Sequence, residues 1–280
     1  MTLGLRRAEH WARLTTDSQY REVERLLKLP RNQAGTTRLL GPQLFFVDGR
    51  SCALQHRVIF ENQIYAMHSE HKSPRIIDAG ANIGMATLYL KQLFPSAKID
   101  TFEADPNIVE VLQKNIDSFG LHDVAVHHAA VSDKTGTVQF VSSGPDSGYV
   151  SKSANQASVA VPAVRLSDWL GEPIDFLKLD IEGAECDVIL DCLSHLKNVS
   201  GIFVEYHSFA GEPQRLPEML ANLQDAGFRI FVQTDYCPPC PLLDPASDLS
   251  MDLRLNVFGT QLEGNSARSR GASFEASHAS

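Results

Sequence analysis

Long apolar runs are missing from this chain of 280 residues: no uninterrupted stretch approaches the roughly 18 residues that a membrane-spanning helix needs. The N-terminus also lacks the apolar segment of a secretory signal. These absences predict a soluble, cytoplasmic protein without a membrane partner.

Long basic runs are missing as well, since 25 Lys and Arg stand against 34 Asp and Glu for a formal charge of −9. Only Arg6 to Arg31 has a basic excess, and acidic residues interrupt it. Because phosphate contacts need clustered Lys and Arg, we expect no nucleic-acid partner. Cysteine is scarce too, and its odd number, 5, argues against a disulfide framework and for reduced thiols.

The first 57 residues read as an N-terminal extension made of a helical arm and a β-hairpin. Val23, Leu26 and Leu27 have helical spacing. Asp48-Gly49 lies between two β-rich runs, a strong signal for a hairpin turn. A helix is then predicted over residues 57–68. The main domain is predicted over residues 58–263, followed by a disordered Ser, Ala, Gly and Arg tail over residues 264–280.

From Pro74 onward, short apolar strands alternate with amphipathic helices. This alternation predicts an α/β fold with a doubly wound parallel sheet that is buried on both faces. Residues 132–166 interrupt it and read as a hairpin-like insertion. The predicted strands cover residues 75–79, 98–103, 124–131, 175–181, 201–206, 229–234 and 253–260, and the predicted helices 83–94, 106–119, 184–196 and 216–226. Ligands of such sheets bind at the carboxyl ends of the strands.

The first candidate site is the turn after the first of these strands, where Asp78, Gly80, Asn82 and Gly84 follow one another. Glycines there let the backbone approach a ligand closely. A dinucleotide site would want Gly-x-Gly-x-x-Gly, and an acid beside the turn repels a pyrophosphate but attracts an ammonium group. The turn therefore favours a ligand with an amino-acid end over a nicotinamide dinucleotide.

The second candidate site is Glu103, at the end of the next strand, where this class of fold places a carboxylate on ribose hydroxyls. A ribose and a cationic group together specify a ligand such as S-adenosylmethionine. The alternative is that Asp78 and Glu103 only cap turns.

The third candidate site closes the fourth strand, where alternation puts Lys178, Asp180 and Glu182 on one face. Charges on a central strand are costly to bury, which favours a functional role. The alternative is an internal Lys–Asp ion pair with a helix N-cap. Glu185, in the first turn of the following helix, is interpreted as a partner of the helix dipole.

The fourth candidate site is Glu205 with His207, which share one face at the end of the fifth strand. A carboxylate that holds an imidazole in position makes a general base. Asp180, Glu205 and His207 could instead bind a divalent cation. A metal is not expected, and the pair Cys237 and Cys240 is interpreted as part of a rigid loop rather than a zinc site.

Four motifs in this order resemble the FkbM family of S-adenosylmethionine-dependent methyltransferases, over about residues 58–235. They are PRIIDAGANIG (residues 74–84), FEADP (102–106), AAVSD (129–133) and LKLDIEGAE (177–185). The resemblance implies the class I methyltransferase fold, a Rossmann-like sheet of seven strands whose last strand is antiparallel.

The resemblance also implies roles for the candidate residues. Asp78, Gly80, Asn82 and Gly84 should line the methionine end of the cofactor, and Glu103 should bind its ribose. Asp105, Ala129 and Ala130 should face the adenine. Asp180, at the pocket mouth, counts among both the cofactor-binding and the catalytic residues. His207 is the first candidate for the base, with Asp180 or Glu182 as alternatives and Glu205 as the residue that positions the imidazole.

The implied activity is O-methylation of a hydroxyl on a small natural product or a glycan. The alternatives are methylation of a carboxylate or amine on a peptide-like acceptor, a cofactor-binding protein without catalysis, and a nicotinamide-dependent oxidoreductase. The helical arm, the insertion at 132–166 and the loop at 235–252 are predicted to select the acceptor.

Overall fold

The computed structural model describes residues 16–142, 144, 148–150, 158–243 and 251–261, with backbone only for 148–150. The α-helices of this part of the chain are α1 (Ser18–Leu27), α2 (Gly49–His56), α3 (Met85–Leu93), α4 (Pro106–Ser118), α5 (Glu185–Cys192) and α6 (Leu216–Asp225). Its strands are β1 (Gly35–Thr37), β2 (Leu44–Phe46), β3 (Arg75–Ala79), β4 (Lys98–Glu103), β5 (Val124–His128), β6 (Ala130–Ser132), β7 (Gly136–Ser142), β8 (Gly148–Val150), β9 (Val159–Arg165), β10 (Ile174–Leu179), β11 (Val199–Phe209), β12 (Phe228–Tyr236) and β13 (Met251–Gln261).

A seven-stranded sheet forms the centre of the molecule, in the order β12-β13-β11-β10-β3-β4-β5. The pairs from β11 through β10, β3 and β4 to β5 are parallel, and β13 runs antiparallel to both of its neighbours. This arrangement is the class I methyltransferase topology, so the fold expected from the sequence is confirmed. The strand order reverses between β3 and β10, which is where ligands bind in doubly wound sheets.

The helix that follows β4 begins and ends as its sequence predicts. The Asp105 side chain accepts a hydrogen bond from the backbone N–H of Asn107 at 2.8 Å, and Pro106 takes the first helical position. Gly120, just past the helix, has a φ of 62°. These local signals fix α4, whose N-terminus faces the carboxyl end of β4.

The hairpin expected at Asp48-Gly49 is wrong. Asp48 is instead the N-cap of α2, because its carboxylate accepts from the backbone N–H groups of Ser51 at 2.8 Å and Asn32 at 2.6 Å. The strands that do pair antiparallel lie upstream, β1 with β2. The helix expected over residues 57–68 is also displaced: a π-helical turn continues α2 through Arg57–Glu61 and ends there.

The third strand is shorter than predicted, since the run over residues 124–131 breaks at Ala129. Its first part is β5 of the central sheet, and β6 joins a second sheet of order β6-β9-β7-β8. In that sheet β7 pairs antiparallel with β9, which confirms the hairpin-like insertion. The Ser/Gly-rich loop of the insertion lies largely outside the described residues, as does the tail from 264.

Two large apolar clusters cover the faces of the central sheet. One lies under α5 and α6 and contains Leu177, Val188 and Leu223. The other joins the N-terminal extension to the sheet, because Leu26 of α1 and Phe46 of β2 pack in one cluster with Ile76 of β3. The extension therefore shares its core with the main domain, and the domain boundary at residue 57 stays a prediction.

Cys52, Cys186 and Cys192 are buried free thiols, and Cys237 and Cys240 are exposed and unpaired. Among the described residues, every helix is too short or too polar to cross a membrane.

Candidate active site

A glycine turn joins β3 to α3 at the carboxyl edge of the sheet. The backbone N–H groups of Gly80 and Ala81 both donate to the carbonyl of Phe102, at 3.0 and 2.9 Å, which ties the turn to β4. Gly80 and Asn82 have φ values of 82° and 51°. A Cβ on Gly80 would lie 1.7 Å from the backbone oxygen of Asp180, so only glycine fits where this turn crosses the end of β10.

Glu103 lies at the end of β4 and is buried. Its two oxygens accept from the backbone N–H groups of Asn82 and Asp105, each at 2.8 Å. Burial raises the pKa of Glu103 to about 7, against the lowering effect of these hydrogen bonds. A carboxylate is thus fixed between the glycine turn and the start of α4.

One pocket brings together most of the residues predicted to bind the cofactor. It is lined by Gly80, Asn82, Phe102, Glu103, Ala104, Asp105, Ile108, Ala129, Ala130, Val131, Phe140, Asp180, Ile181 and Glu182. The apolar wall of Phe102, Ile108 and Phe140 was missed by the sequence reasoning. Ile108 shares the apolar face of α4, a detectable signal, whereas Phe140 comes from the insertion and no local pattern places it there.

Asp78 and Gly84 do not line this pocket. The Asp78 side chain is fully buried, accepts from the Thr87 hydroxyl at 2.7 Å and lies 3.4 Å from Nζ of Lys178. Gly84 has a φ of 92° and packs against Leu112 of α4. Both residues therefore lie outside this pocket lining, and their contact with the methionine end stays a prediction.

Lys178 is the buried cation that holds this edge of the sheet together. Its Nζ donates to the carbonyl of Gly80 at 2.7 Å and lies 3.2 Å from Asp180 Oδ2. Burial by itself would lower the pKa of Lys178, but Asp180 and Asp78 hold it well above its usual value. The internal Lys–Asp ion pair, weighed above as an alternative, is thus present, and Asp180 still reaches the pocket.

The turn after β10 holds Glu182 in a left-handed conformation, with a φ of 57°. Such a conformation is strained for glutamate, and strained residues concentrate at functional sites. Burial raises the pKa of Glu182 to about 8. Glu182 does not cap α5, because the N-cap position belongs to Ala184 and makes no side-chain hydrogen bond.

Glu185 is buried in this turn rather than exposed at a helix dipole. Its carboxylate accepts from the backbone N–H groups of Ile181 at 3.1 Å and Gly183 at 3.0 Å, and it lies 2.9 Å from Nδ1 of His207. The sequence gives no signal for this contact, because the partners are 22 positions apart on different elements. Glu185, and not Glu205, is therefore the carboxylate that positions the imidazole.

His207 lies at the end of β11 with its side chain only 1% exposed. Nε2 lies 3.6 Å from Glu205 and 3.7 Å from Glu182. Burial would lower the pKa of His207, but Glu185, Glu205 and Glu182 raise it well above its usual value. This arrangement favours an imidazolium, which has no lone pair to accept a proton, so the role of general base does not fit His207 as the structure holds it.

Comparisons with known sequences show which family this chain resembles. A sequence model described as the Methyltransferase FkbM domain matches residues 78–230. Methyltransferase sdnD of Sordaria araneosa is 31% identical over 62% of this chain and 81% of its own length. The 2-O-methyltransferase NoeI of Sinorhizobium fredii is 30% identical over 49% and 65%, and the 31-O-demethyl-FK506 methyltransferase FkbM of Streptomyces tacrolimicus is 25% identical over 70% and 88%.

The matched segment begins at Asp78 and extends into β12, so it contains the glycine turn, Glu103 and the acids and His207 at the ends of β10 and β11. This membership supports an enzyme that transfers methyl groups, and it argues against a nicotinamide-dependent oxidoreductase. The chain belongs to the FkbM family of methyltransferases.

Proposed function

We propose that this protein uses S-adenosylmethionine to methylate a hydroxyl on a small natural product or a glycan. The observation that carries the proposal is the pocket at the carboxyl ends of β3, β4 and β10. There a glycine turn, the buried carboxylate of Glu103 and an apolar wall lie beside a cluster of acids.

The pocket fits this cofactor in its chemistry. The Gly80 position leaves no room for a Cβ. Glu103 offers a carboxylate for ribose hydroxyls, and the side chains of Ala129, Ala130 and Phe140 line the part of the pocket that would face a flat base. Asp78 is fully buried and does not line the pocket, so Asp180 is the carboxylate that would face the ammonium group.

S-Adenosylmethionine would supply a methyl group on a sulfonium that is already a good leaving group. The protein then has to hold the acceptor oxygen in line and accept its proton. Asp180 and Glu182 line the pocket, whereas His207 is sealed behind them. We therefore assign proton acceptance to Glu182, which was one of the alternatives to His207 and which a pKa of about 8 leaves as a carboxylate above pH 8.

Two relatives support oxygen as the atom that is methylated, because NoeI is named a 2-O-methyltransferase and FkbM a 31-O-demethyl-FK506 methyltransferase. A methyl-labelled cofactor with a panel of sugars, polyketides and peptides tests the proposal. We expect label in a hydroxyl-bearing acceptor and loss of most of that transfer in Glu182→Gln. The control Glu172→Gln changes an exposed side chain and should keep full activity.

Label only in carboxylates or amines would favour the peptide-like acceptor instead. Cofactor binding without transfer to any acceptor class would favour a binding protein without catalysis. Equal transfer by Glu182→Gln and Glu172→Gln would remove Glu182 from the proton-accepting role.

Glu103 makes cofactor affinity depend on pH. Its pKa of about 7 means that the carboxyl of the free protein is increasingly protonated below pH 7 and then loses acceptor capacity for ribose hydroxyls. We expect the affinity for S-adenosylhomocysteine to fall by up to about tenfold per pH unit below pH 7 and to level off above pH 8. Isothermal titration from pH 6 to pH 8.5 measures this.

Glu103→Gln should bind about 1–3 kcal/mol more weakly at pH 8 and lose the pH dependence. Glu110→Gln, an exposed substitution on α4, is the matched control and should keep both. A Glu103→Gln variant with unchanged affinity would contradict the ribose assignment.

A further inference from the structure

Three metal-ligating side chains converge where β10 and β11 end, next to the cofactor pocket. Asp180, Glu205 and His207 each offer one ligand atom, and these atoms lie within 4.8 Å of one another. We propose that these three residues bind a divalent cation of the Mg²⁺ or Mn²⁺ class, which holds the acceptor hydroxyl beside the methyl donor. The inference rests on the proposed function, and it reverses the expectation from the sequence that no metal is bound.

The buried imidazole is the observation that distinguishes this cluster from an ordinary group of acids. The side chain of His207 is 1% exposed, and its Nε2 has no hydrogen-bond partner. That nitrogen faces Glu205 at 3.6 Å, within the space that the carboxylates enclose. An unpartnered buried nitrogen is costly, and a cation placed between Nε2 and these oxygens would satisfy it.

Glu185 contacts the other nitrogen of the His207 ring, Nδ1. It lies 2.9 Å from Nδ1 of His207 and is itself fixed by the backbone N–H groups of Ile181 and Gly183. A histidine that binds a metal almost always donates the N–H of its other ring nitrogen to a carboxylate or carbonyl. This hydrogen bond sets the tautomer and the orientation of the ring. With Glu185 holding the proton on Nδ1, a cation would displace the proton that the imidazolium carries on Nε2, and Nε2 would become the ligand atom.

The donor set indicates which cation fits. Two carboxylates and one imidazole, with open positions for water and a substrate oxygen, suit a divalent ion that prefers oxygen ligands and tolerates one nitrogen. Lys178 and Arg254 each lie 3.2 Å from one oxygen, on Asp180 and Glu205 respectively. The contact with Lys178 uses Oδ2 of Asp180, whereas Oε1 of Glu205 faces both Arg254 and Nε2 of His207.

The charge balance supports a dication as well. Four carboxyl groups surround the cluster, namely those of Asp180, Glu182, Glu185 and Glu205. With His207 neutral as a ligand, the cations that reach the cluster among the described residues are Lys178, which is shared with the buried Asp78, and Arg254, which is shared with Asp235. A bound dication would offset the remaining negative charge.

The position of the cluster gives the ion a role in the reaction. Asp180 also lines the cofactor pocket, so a substrate hydroxyl on the ion would lie at the edge of that pocket. Coordination lowers the pKa of a hydroxyl and orients it. In the transfer, the methyl–oxygen bond forms as the sulfur–methyl bond breaks, its electron pair stays on sulfur, and the hydroxyl proton passes to Glu182. Acceptors with two neighbouring hydroxyls would fill two open positions on the ion.

Mn²⁺ is the probe for this site, because its EPR signal reports binding without any need for an acceptor. Full-length protein freed of metal by chelation is titrated with Mn²⁺. We expect one site per chain, displacement by Mg²⁺, and at least a tenfold loss of affinity in Glu205→Gln. The control Glu212→Gln changes an exposed acid just after β11 and should bind as the unaltered protein does.

Circular dichroism shows whether Glu205→Gln is folded, and Asp180→Asn serves as a second variant. No Mn²⁺ binding by the unaltered protein, or equal binding by Glu205→Gln and Glu212→Gln, would overturn the metal site. Titration with S-adenosylhomocysteine in chelator separates this failure from failure of the proposed function. If the protein binds the cofactor but not Mn²⁺, the metal site is wrong and the proposed methyltransferase function is retained. If it binds Mn²⁺ but not the cofactor, the metal site is retained and the proposed function is wrong.

Discussion

Replacing Lys178 with methionine should lower the free energy of unfolding by about 3–5 kcal/mol, as expected when one partner of a buried ion pair is removed. Methionine keeps most of the apolar stem but leaves the fully buried Asp78 without its cation. It also leaves the carbonyl of Gly80 without its donor. Urea denaturation followed by circular dichroism measures the loss.

Two further variants show whether the loss comes from the buried charge. In Lys178→Met with Asp78→Asn the fully buried charge of Asp78 is gone and only the half-buried Asp180 lacks its cation, so the double variant should regain part of the stability. Lys98→Met, an exposed substitution on β4, should change it by no more than about 0.5 kcal/mol. A Lys178→Met protein as stable as Lys98→Met would contradict the ion pair as the support of this edge of the sheet.

Gly80→Ala should abolish cofactor binding and destabilise the fold. The new Cβ would lie 1.7 Å from the Asp180 carbonyl oxygen, so the turn would have to move away from β10. A φ of 82° adds strain for any residue with a Cβ, about 1–2 kcal/mol. Overpacking adds about 1–3 kcal/mol, so we expect the free energy of unfolding to fall by roughly 2–5 kcal/mol in total.

Gly41 offers a matched control for this substitution. Its φ is 96°, and nothing lies within 4 Å of a Cβ placed there. Gly41→Ala should therefore be destabilised only by the strain of its positive φ, and it should bind S-adenosylhomocysteine normally. If Gly80→Ala and Gly41→Ala have the same melting temperature and the same affinity for S-adenosylhomocysteine, the close approach of the turn to β10 is not what shapes the pocket.

Sequence reasoning predicts those parts of the molecule that depend on local signals. Asp105-Pro106 and Gly120 fix α4, and the apolar alternation places the strands of the central sheet. The local signal at Asp48 is compatible with two structures. Asp-Gly suits a hairpin turn, but the same aspartate caps α2 and accepts a hydrogen bond from Asn32, 16 positions away.

In the candidate site, too, local signals predict some residues correctly and tertiary partners decide the others. Gly80, Glu103 and Asp180 reach the pocket because their positions depend on strand ends. The role of Asp78 depends on Lys178, which lies on a different strand 100 positions later, and Glu185 contacts His207 across two elements. Such tertiary partners decide which acid faces a ligand, and no pattern within either segment encodes them.

Isothermal titration of the full chain with S-adenosylhomocysteine, with NADH as the comparison ligand, shows whether the pocket at the glycine turn binds the cofactor. We expect one micromolar site per chain for S-adenosylhomocysteine and none for NADH. We also expect Glu103→Gln to weaken this site and Glu110→Gln to leave it unchanged. Absence of binding, or equal affinity in the two variants, would contradict a cofactor site built on the glycine turn and Glu103.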